Sequence, residues 1–186
     1  MPARRRSRAF TLIEVMIVVA LIGVLALVAA VSYRKWIRNA YLGEAQEMLT
    51  NIRTAEESFK AENGVYLTVS NSLATSNLYP MTSPTGSSKT EWGAACNACT
   101  GGGWAALNVS PSGAVRFGYA LVAGNTGGSP PSISVNGQSK SLADIAAQPW
   151  YVAEAICDED DDSSTLPTTL YAISATNEVF INNEGQ

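Results

Sequence analysis

Residues 10–31 read FTLIEVMIVVALIGVLALVAAV, and this stretch decides the fold of the N-terminal part of the chain. From Val15 to Val31 it holds 17 residues without a charge. Because about 20 apolar helical residues cross the hydrocarbon of a bilayer, the stretch predicts a membrane-spanning helix. One carboxylate, Glu14, lies at its leading edge. A charge in such a segment costs roughly 2.5–3.5 kcal/mol, which makes Glu14 a candidate functional group.

Basic residues flank the apolar stretch on both sides. Four arginines lie between residues 4 and 8, whereas Arg34, Lys35 and Arg38 follow the stretch. This contrast predicts that the N-terminus stays in the cytoplasm and that the rest of the chain crosses the membrane. A cleaved signal peptide ending near Ala30 is the alternative. The apolar run is longer than the usual 7–15 residues of such a peptide, and Glu14 lies where its apolar region would begin.

The composition excludes several classes of function. The 186 residues include no histidine, which removes Ser-His-Asp and Cys-His catalysis and histidine-ligated zinc. We therefore expect that the protein is not an enzyme. The net charge is −4, and loss of the first nine residues would remove four arginines and bring it to −8. Beyond Gly64 the only basic residues are Lys89, Arg116 and Lys140, so we expect no direct nucleic-acid binding by the monomer.

A single helix can extend well past the membrane segment. No proline occurs between Pro2 and Pro80, which permits a helix from about Phe10 to Glu62. Its distal part carries apolar residues at spacings of three and four, which predicts one buried stripe on a polar helix. The stripe comprises Tyr41, Ala45, Met48, Ile52, Ala55 and Phe59, with Leu49 beside them, and the other faces are expected to hold Glu44, Glu47, Arg53, Glu56, Glu57 and Lys60. Asn63-Gly64 predicts the end of the helix.

The remainder of the chain predicts short strands. Residues 104–109 and 114–122 flank a turn-like Ser-Pro-Ser-Gly insert and predict a hairpin, whereas residues 124–140 predict a loop. Further strands are expected at residues 149–156, 168–174 and 178–181. The predicted fold class is therefore α+β, with a long N-terminal helix packed on an antiparallel sheet of four or five strands.

The order of residues from Ser7 to Val31 resembles the N-terminus of type IV pilins and of type II secretion pseudopilins. An arginine-rich leader and Ala9 are followed by Phe10-Thr11-Leu12-Ile13-Glu14-Val15 and the apolar run. A weaker likeness continues through residues 55–59 and the Glu62-Asn63-Gly64-Val65-Tyr66 helix exit. The other 120 or so residues resemble this family only in layout.

The resemblance implies a sequence of processing and assembly steps. A prepilin peptidase would cut between Ala9 and Phe10, and the new amine of Phe10 would be N-methylated. Glu14 would then face that amine on a neighbouring subunit. The physical reason is general, because a lone carboxylate in hydrocarbon needs a cation at the same depth. In the alternative, Glu14 lies at the membrane interface and reaches the lipid headgroups.

The resemblance also implies how the chain is divided. Residues 1–9 would be the leader that is removed, and residues 10–33 the transmembrane and assembly half of the helix. Residues 34–63 would form its amphipathic half, and residues 64–186 the globular β-sheet domain of a type IV pilin-like fold.

Two positions depart from the family pattern. Glycine usually precedes the cut, and this chain has Ala9, the smallest substitute, so we expect cleavage to proceed. Many members have a proline near the end of the membrane segment, where this chain has Val31. Gly23 is then the expected point of helix flexibility.

The function implied by the resemblance is that of a structural subunit of a type IV pilus-like filament. The subunit would polymerise with itself and related pilins, served by a prepilin peptidase and an inner-membrane assembly platform. It would reside in the bacterial inner membrane, N-terminus in the cytoplasm, before entering an extracellular or periplasmic filament. A pseudopilin of a type II secretion system is one alternative. A membrane-anchored periplasmic binding domain is another.

Two smaller motifs remain. Cys96 and Cys99 form a C-x-x-C, and Cys157 lies far downstream. In an oxidising compartment we expect a disulfide of Cys157 with Cys96 or Cys99, which closes a long loop, although a Cys96–Cys99 bond is an alternative. Asp158, Asp160 and Asp162 have the spacing of a calcium loop but lack its glycine and distal glutamate. We expect no cofactor other than a calcium ion at these three aspartates. The alternative is that this segment is a solvated acidic hairpin without a bound ion.

Overall fold

A computed structural model of the chain describes residues 10–93, 103–159 and 167–183, except for the side chains of residues 31, 34 and 35. The chain divides into two compact units, Met1–Arg38 and Asn39–Gln186. The described residues have the predicted α+β arrangement of one long N-terminal helix and an antiparallel sheet of four strands.

The helix α1 extends from Leu12 to Asn63. It ends as predicted at Asn63-Gly64, because Gly64 has a φ of 78° and donates its backbone N–H to the carbonyl oxygen of Lys60 at 2.8 Å. A positive φ is accessible to glycine without the Cβ clash that other residues meet. The Asn63 side-chain amide satisfies one more carbonyl of the last turn, that of Phe59, at 2.9 Å.

Six strands follow the helix in the part of the chain that the structure describes. They are β1 (Gly118–Gly124), β2 (Ile133–Val135), β3 (Gln138–Lys140), β4 (Trp150–Cys157), β5 (Thr168–Ile173) and β6 (Val179–Asn182). The main sheet has the order β1-β4-β5-β6, and all its pairs are antiparallel. The register places Leu121 opposite Ala153 and Ala153 opposite Ala172. These three side chains therefore share one face of the sheet, since side chains alternate along each strand.

That face packs on the distal part of α1, as the apolar stripe predicts. The buried residues shared by helix and sheet include Leu42, Ala45, Met48, Leu49, Ile52, Tyr119, Leu121, Tyr151, Ala153, Leu170 and Ala172. Tyr41, Ala55 and Phe59 pack at the margin of this cluster and are only partly buried. Each large apolar side chain buried here contributes roughly 1.5–3 kcal/mol. Arg53 adds a polar clamp, donating to the carbonyl oxygens of Asn177 and Glu178 at 2.9 and 3.4 Å.

The opposite face of the sheet is also buried. Trp150, Val152, Tyr171 and Ile173 form a second cluster with Ile133 of β2 and with Leu142. As a result, every residue of β4 and β5 is buried. The packing is tight at Gly124, where a Cβ would lie 2.4 Å from Cζ2 of Trp150. The sheet therefore has a covering layer on each side.

Two strand predictions are wrong. Residues 104–109 do not form a strand, because Gly103–Ala105 is a short 3₁₀ turn and Asn108 has a φ of 52°. The strand β1 pairs with β4 instead. Residues 124–140 are not all loop either, because β2 and β3 form a hairpin inside this range. Its two-residue turn is Asn136-Gly137, both with positive φ, and Asn-Gly favours this kind of turn.

The edge of β1 that does not pair with β4 is covered by another part of the chain. Tyr79 and Tyr119 exchange backbone hydrogen bonds of 2.9 and 2.7 Å, and the backbone N–H groups of Val69 and Ser70 donate to the Leu121 carbonyl oxygen at 3.1 and 2.8 Å. The chain that follows α1 therefore caps this edge, which removes a site for unwanted strand addition.

Candidate functional site

The first turn of α1 holds the predicted assembly residue, Glu14. Its carboxylate oxygen Oε2 lies 3.5 Å from both the backbone N–H and the hydroxyl of Thr11, and its own backbone N–H donates to Thr11 Oγ1 at 3.3 Å. This is a reciprocal capping arrangement with long hydrogen bonds. It places a carboxylate oxygen of Glu14 beside the backbone N–H of Thr11, the residue that follows Phe10. Phe10 is 82 % exposed. The Thr-x-x-Glu spacing is a capping signal that the sequence analysis did not use.

Most of the described residues of this unit form an apolar surface that the chain itself does not cover. Leu12–Ala30 is 19 residues long and is apolar enough to cross a membrane, by length and composition. None of this span is buried within the chain. Gly23 lies inside the helix, with nothing within 4 Å of the position that a Cβ would take. A surface of this kind requires lipid or another protein chain to cover it.

Glu56 is a buried carboxyl group whose predicted position is wrong. The sequence predicts it on a polar face of α1, but it is 0 % exposed and lies within the packed side of the helix. Its Oε2 accepts a hydrogen bond from the backbone N–H of Leu67 at 3.0 Å. Burial raises the pKa of Glu56 to about 7, partly offset by the Leu67 bond and increased by the charge of Glu57. The helical spacing does carry a signal of this, because Ile52 lies four residues before Glu56 and Phe59 three residues after it, and both belong to the apolar stripe.

Glu154 is a second buried carboxyl group, on the outer face of β4. It is 4 % exposed and lies opposite Ala120 of β1 and Tyr171 of β5. Burial raises its pKa to about 7, and a hydrogen bond with the Tyr171 side chain opposes that rise. A single acidic residue within the apolar strand Trp150–Cys157 is the only sign of it in the sequence.

Several predicted site residues lie outside the described residues: Ala9, Cys96, Cys99, Asp160 and Asp162. The calcium site thus stays a prediction. Asp158 is described, and its backbone pairs with residues 84–86, its N–H donating to the Pro84 carbonyl oxygen at 3.1 Å. Among residues 10–93, 103–159 and 167–183 no three acidic, cysteine or histidine side chains are grouped to hold a metal.

The cysteine pairing also stays a prediction, because Cys157 is the one of the three cysteines that the structure describes. Cys157 is buried on the helix side of the sheet. Tyr119 belongs to the same buried cluster, and burial raises the pKa of its hydroxyl, with smaller contributions from the charges of Glu44 and Cys157. The ring of Tyr119 is 5.9 Å from that of Trp92, and Trp92 is 5.4 Å from Trp104. These two tryptophans flank the segment that contains the other cysteines.

Peptide mapping without reduction tests this pairing. We expect the peptide that contains Cys157 to be linked to the peptide that contains Cys96 and Cys99, with one thiol left over. Detection of three thiols in protein prepared from an oxidising compartment would overturn the prediction, and a Cys96–Cys99 bond would support the alternative.

Comparison with known proteins defines the class of the N-terminal segment. Residues 4–30 match the family described as the prokaryotic N-terminal methylation motif. The chain therefore carries this motif, on a helix that enters an α+β domain.

A similarity to one individual protein extends beyond this motif. The chain is 41 % identical over 68 residues to the type IV major pilin protein PilA of Myxococcus xanthus strain DK1622. The match covers 37 % of this chain and 31 % of the relative, so the chain spans about a third of the length of the curated relative that it matches. No solved structure matches the chain.

Proposed function

We propose that this protein is a type IV pilin-type subunit, which is anchored in the inner membrane by its N-terminal helix and then assembled into a filament. The observation that supports this most is the position of Glu14, four residues after Phe10 inside a methylation motif and at the start of an uncovered apolar helix. The similarity to a major pilin over 68 residues supports the same proposal. In this proposal the protein is a structural subunit and not an enzyme.

The chemistry of the first turn accounts for assembly in physical terms. Removal of residues 1–9 leaves a free amine on Phe10, which carries a positive charge at neutral pH. The capping contacts with Thr11 hold the carboxylate of Glu14 at the end of the helix, at the depth where the amine of a neighbouring copy arrives. Pairing the two charges avoids an isolated charge in an apolar environment, and the apolar helices then cover one another.

A pseudopilin of a type II secretion system would use the same N-terminal chemistry and stays an alternative. The two are distinguished genetically. Loss of surface filaments on deletion, with protein secretion intact, supports the pilus subunit. Loss of secretion with surface filaments intact supports the pseudopilin. A membrane-anchored binding domain would retain its leader and would tolerate loss of Glu14.

Processing at Ala9 gives the first prediction. We expect Ala9→Leu to block removal of residues 1–9, because the resemblance implies that the site before the cut accepts only a small side chain. Ala9→Gly should be processed at least as fast as the unaltered chain. Intact mass, measured in cells that contain a prepilin peptidase, reports the cleaved fraction, and Ser7→Ala serves as a control two residues away. Unchanged processing of Ala9→Leu would contradict the proposed cleavage site.

A further inference from the structure

Two adjacent glutamates hold the connection after α1, residues 64–70, against the last turns of the helix. Glu56 Oε2 accepts from the backbone N–H of Leu67 at 3.0 Å, and Glu57 Oε1 accepts from the Tyr66 hydroxyl at 2.8 Å. The same connection caps the edge of β1 a few residues further on. Release of these two hydrogen bonds would therefore loosen the junction between helix and sheet.

The two glutamates differ in their exposure to solvent. Glu57 is exposed, whereas Glu56 is 0 % exposed. Among the described residues, Glu56 Oε1 has no hydrogen-bond partner. A charged carboxylate buried in this way loses its hydration without full replacement, while a neutral carboxylic acid loses much less. The geometry thus favours the protonated form at Glu56 and not at its neighbour.

Among the described residues, few titratable groups act on this site. From α1 the charge of Glu57 acts on Glu56, and from the connection the hydroxyl of Tyr66 lies within electrostatic range. The sheet contributes Tyr151, whose ring meets that of Tyr66 edge-on with centroids 4.9 Å apart.

Two basic side chains of α1 contact the tyrosines beside this site. Lys60 donates to the Tyr66 hydroxyl at 3.0 Å, and Arg53 interacts with Tyr151. Neither forms an ion pair with Glu56 among the residues that the structure describes. A second negative charge at Glu56 would therefore be added beside Glu57 without a direct counter-ion.

We propose that Glu56 is a proton-controlled latch, which holds residues 64–70 on α1 when it is neutral and loosens them when it is charged. Opening of the latch would weaken the hydrogen bonds of Val69 and Ser70 to Leu121 and expose the edge of β1. This inference uses only the globular unit and does not depend on the proposed function.

The direction of the pH effect follows from the pKa. Burial raises the pKa of Glu56 from 4.5 to about 7, so the closed form binds more protons than the open form between these values. The closed form is favoured fully below pH 4.5 and loses stability as the pH rises through 7. Well above pH 7 Glu56 is charged in both forms, so the free-energy difference between the closed and open forms no longer changes with pH.

Amide hydrogen exchange of the full chain in detergent tests the latch. Between pH 5 and pH 8, after correction for intrinsic exchange, protection of the Leu67 amide should fall roughly 50- to 100-fold more in the unaltered protein than in Glu56→Gln. Glu57→Gln is the matched control, because it alters the exposed neighbour. Because the charge of Glu57 makes the smallest contribution to the raised pKa of Glu56, this variant should retain most of the pH dependence.

A second measurement applies if Glu56→Gln does not fold. In the unaltered protein, the Leu67 amide should lose more protection with pH than the Gly127 amide, which donates to the Ala146 carbonyl oxygen at 2.7 Å in a different loop. Equal pH dependence of Leu67 in the unaltered protein and in Glu56→Gln would overturn the latch. Equal pH dependence of Leu67 and Gly127 would overturn it as well.

Discussion

Replacing Glu14 with alanine is expected to abolish surface filaments while the protein still accumulates in the membrane. In the proposed assembly the amine of Phe10 would lose its counter-ion in an apolar environment. Breaking a buried ion pair in this way costs about 3–5 kcal/mol, which reduces the equilibrium constant for adding each subunit by two to three orders of magnitude or more. Electron microscopy and quantitation of sheared material against membrane-bound protein measure the effect.

Two further variants separate pairing from local capping. Thr11→Val removes the hydroxyl that caps the helix but keeps the carboxylate, and a lost cap costs typically about 1 kcal/mol. It should reduce filaments far less than Glu14→Ala. Glu47→Ala removes an exposed glutamate from the same helix and is the matched control. Filaments at normal levels in Glu14→Ala, or equal loss in Thr11→Val, would contradict a pairing role for Glu14.

Replacing Leu49 with alanine is expected to destabilise the globular unit by about 2–5 kcal/mol. Leu49 is 0 % exposed and lies in the core shared by α1 and the sheet. The substitution removes apolar contacts and leaves a cavity between two rigid elements, so neighbours can fill it only in part. Denaturant unfolding of the full chain in detergent, followed by tryptophan fluorescence, measures the loss.

The adjacent residue provides the control for this prediction. Thr50 is exposed, and its hydroxyl donates to the carbonyl oxygen of Gln46 within the same helix. Thr50→Ala should change the free energy of unfolding by no more than about 0.5 kcal/mol. Similar effects of the two substitutions would mean that this side of α1 does not support the sheet.

The sequence predicted α1 well because its determinants are local. Absence of proline, an apolar run, a stripe at helical spacing and Asn63-Gly64 act over a few residues each, and all four point to the same element. The strand β4 was predicted within two residues at each end because eight nearly continuous apolar positions favour a buried strand.

The wrong predictions concern residues whose secondary structure or burial is determined by tertiary packing. Residues 104–109 have an apolar pattern that favours a strand. Trp104 and Leu107 are indeed buried, but they lie in a turn and not in a strand. Glu56 lies on the same helical face as Ile52 and Phe59, but the contact with Leu67 that helps to bury it depends on how the connection after α1 folds back, which no local pattern reports. Asn136-Gly137, by contrast, is a local hairpin signal that lies within the range predicted to be a loop.

The candidate site was predicted in part. Glu14 and the uncovered apolar helix followed from the order of residues near the N-terminus, since a lone carboxylate beside an apolar run is unusual in itself. The capping contacts of Glu14 with Thr11 required the structure, although their spacing was legible. Burial of Glu154 could not be predicted, because it depends on the layer that covers the outer face of the sheet.

Mass spectrometry of the intact protein tests the central claim most directly. Sheared surface material and membranes would be analysed separately. The proposal predicts that the surface fraction contains a chain that begins at Phe10 and carries one methyl group on its amine, with its membrane pool processed in the same way. A chain that retains residues 1–9 and is found only in membranes would contradict the account.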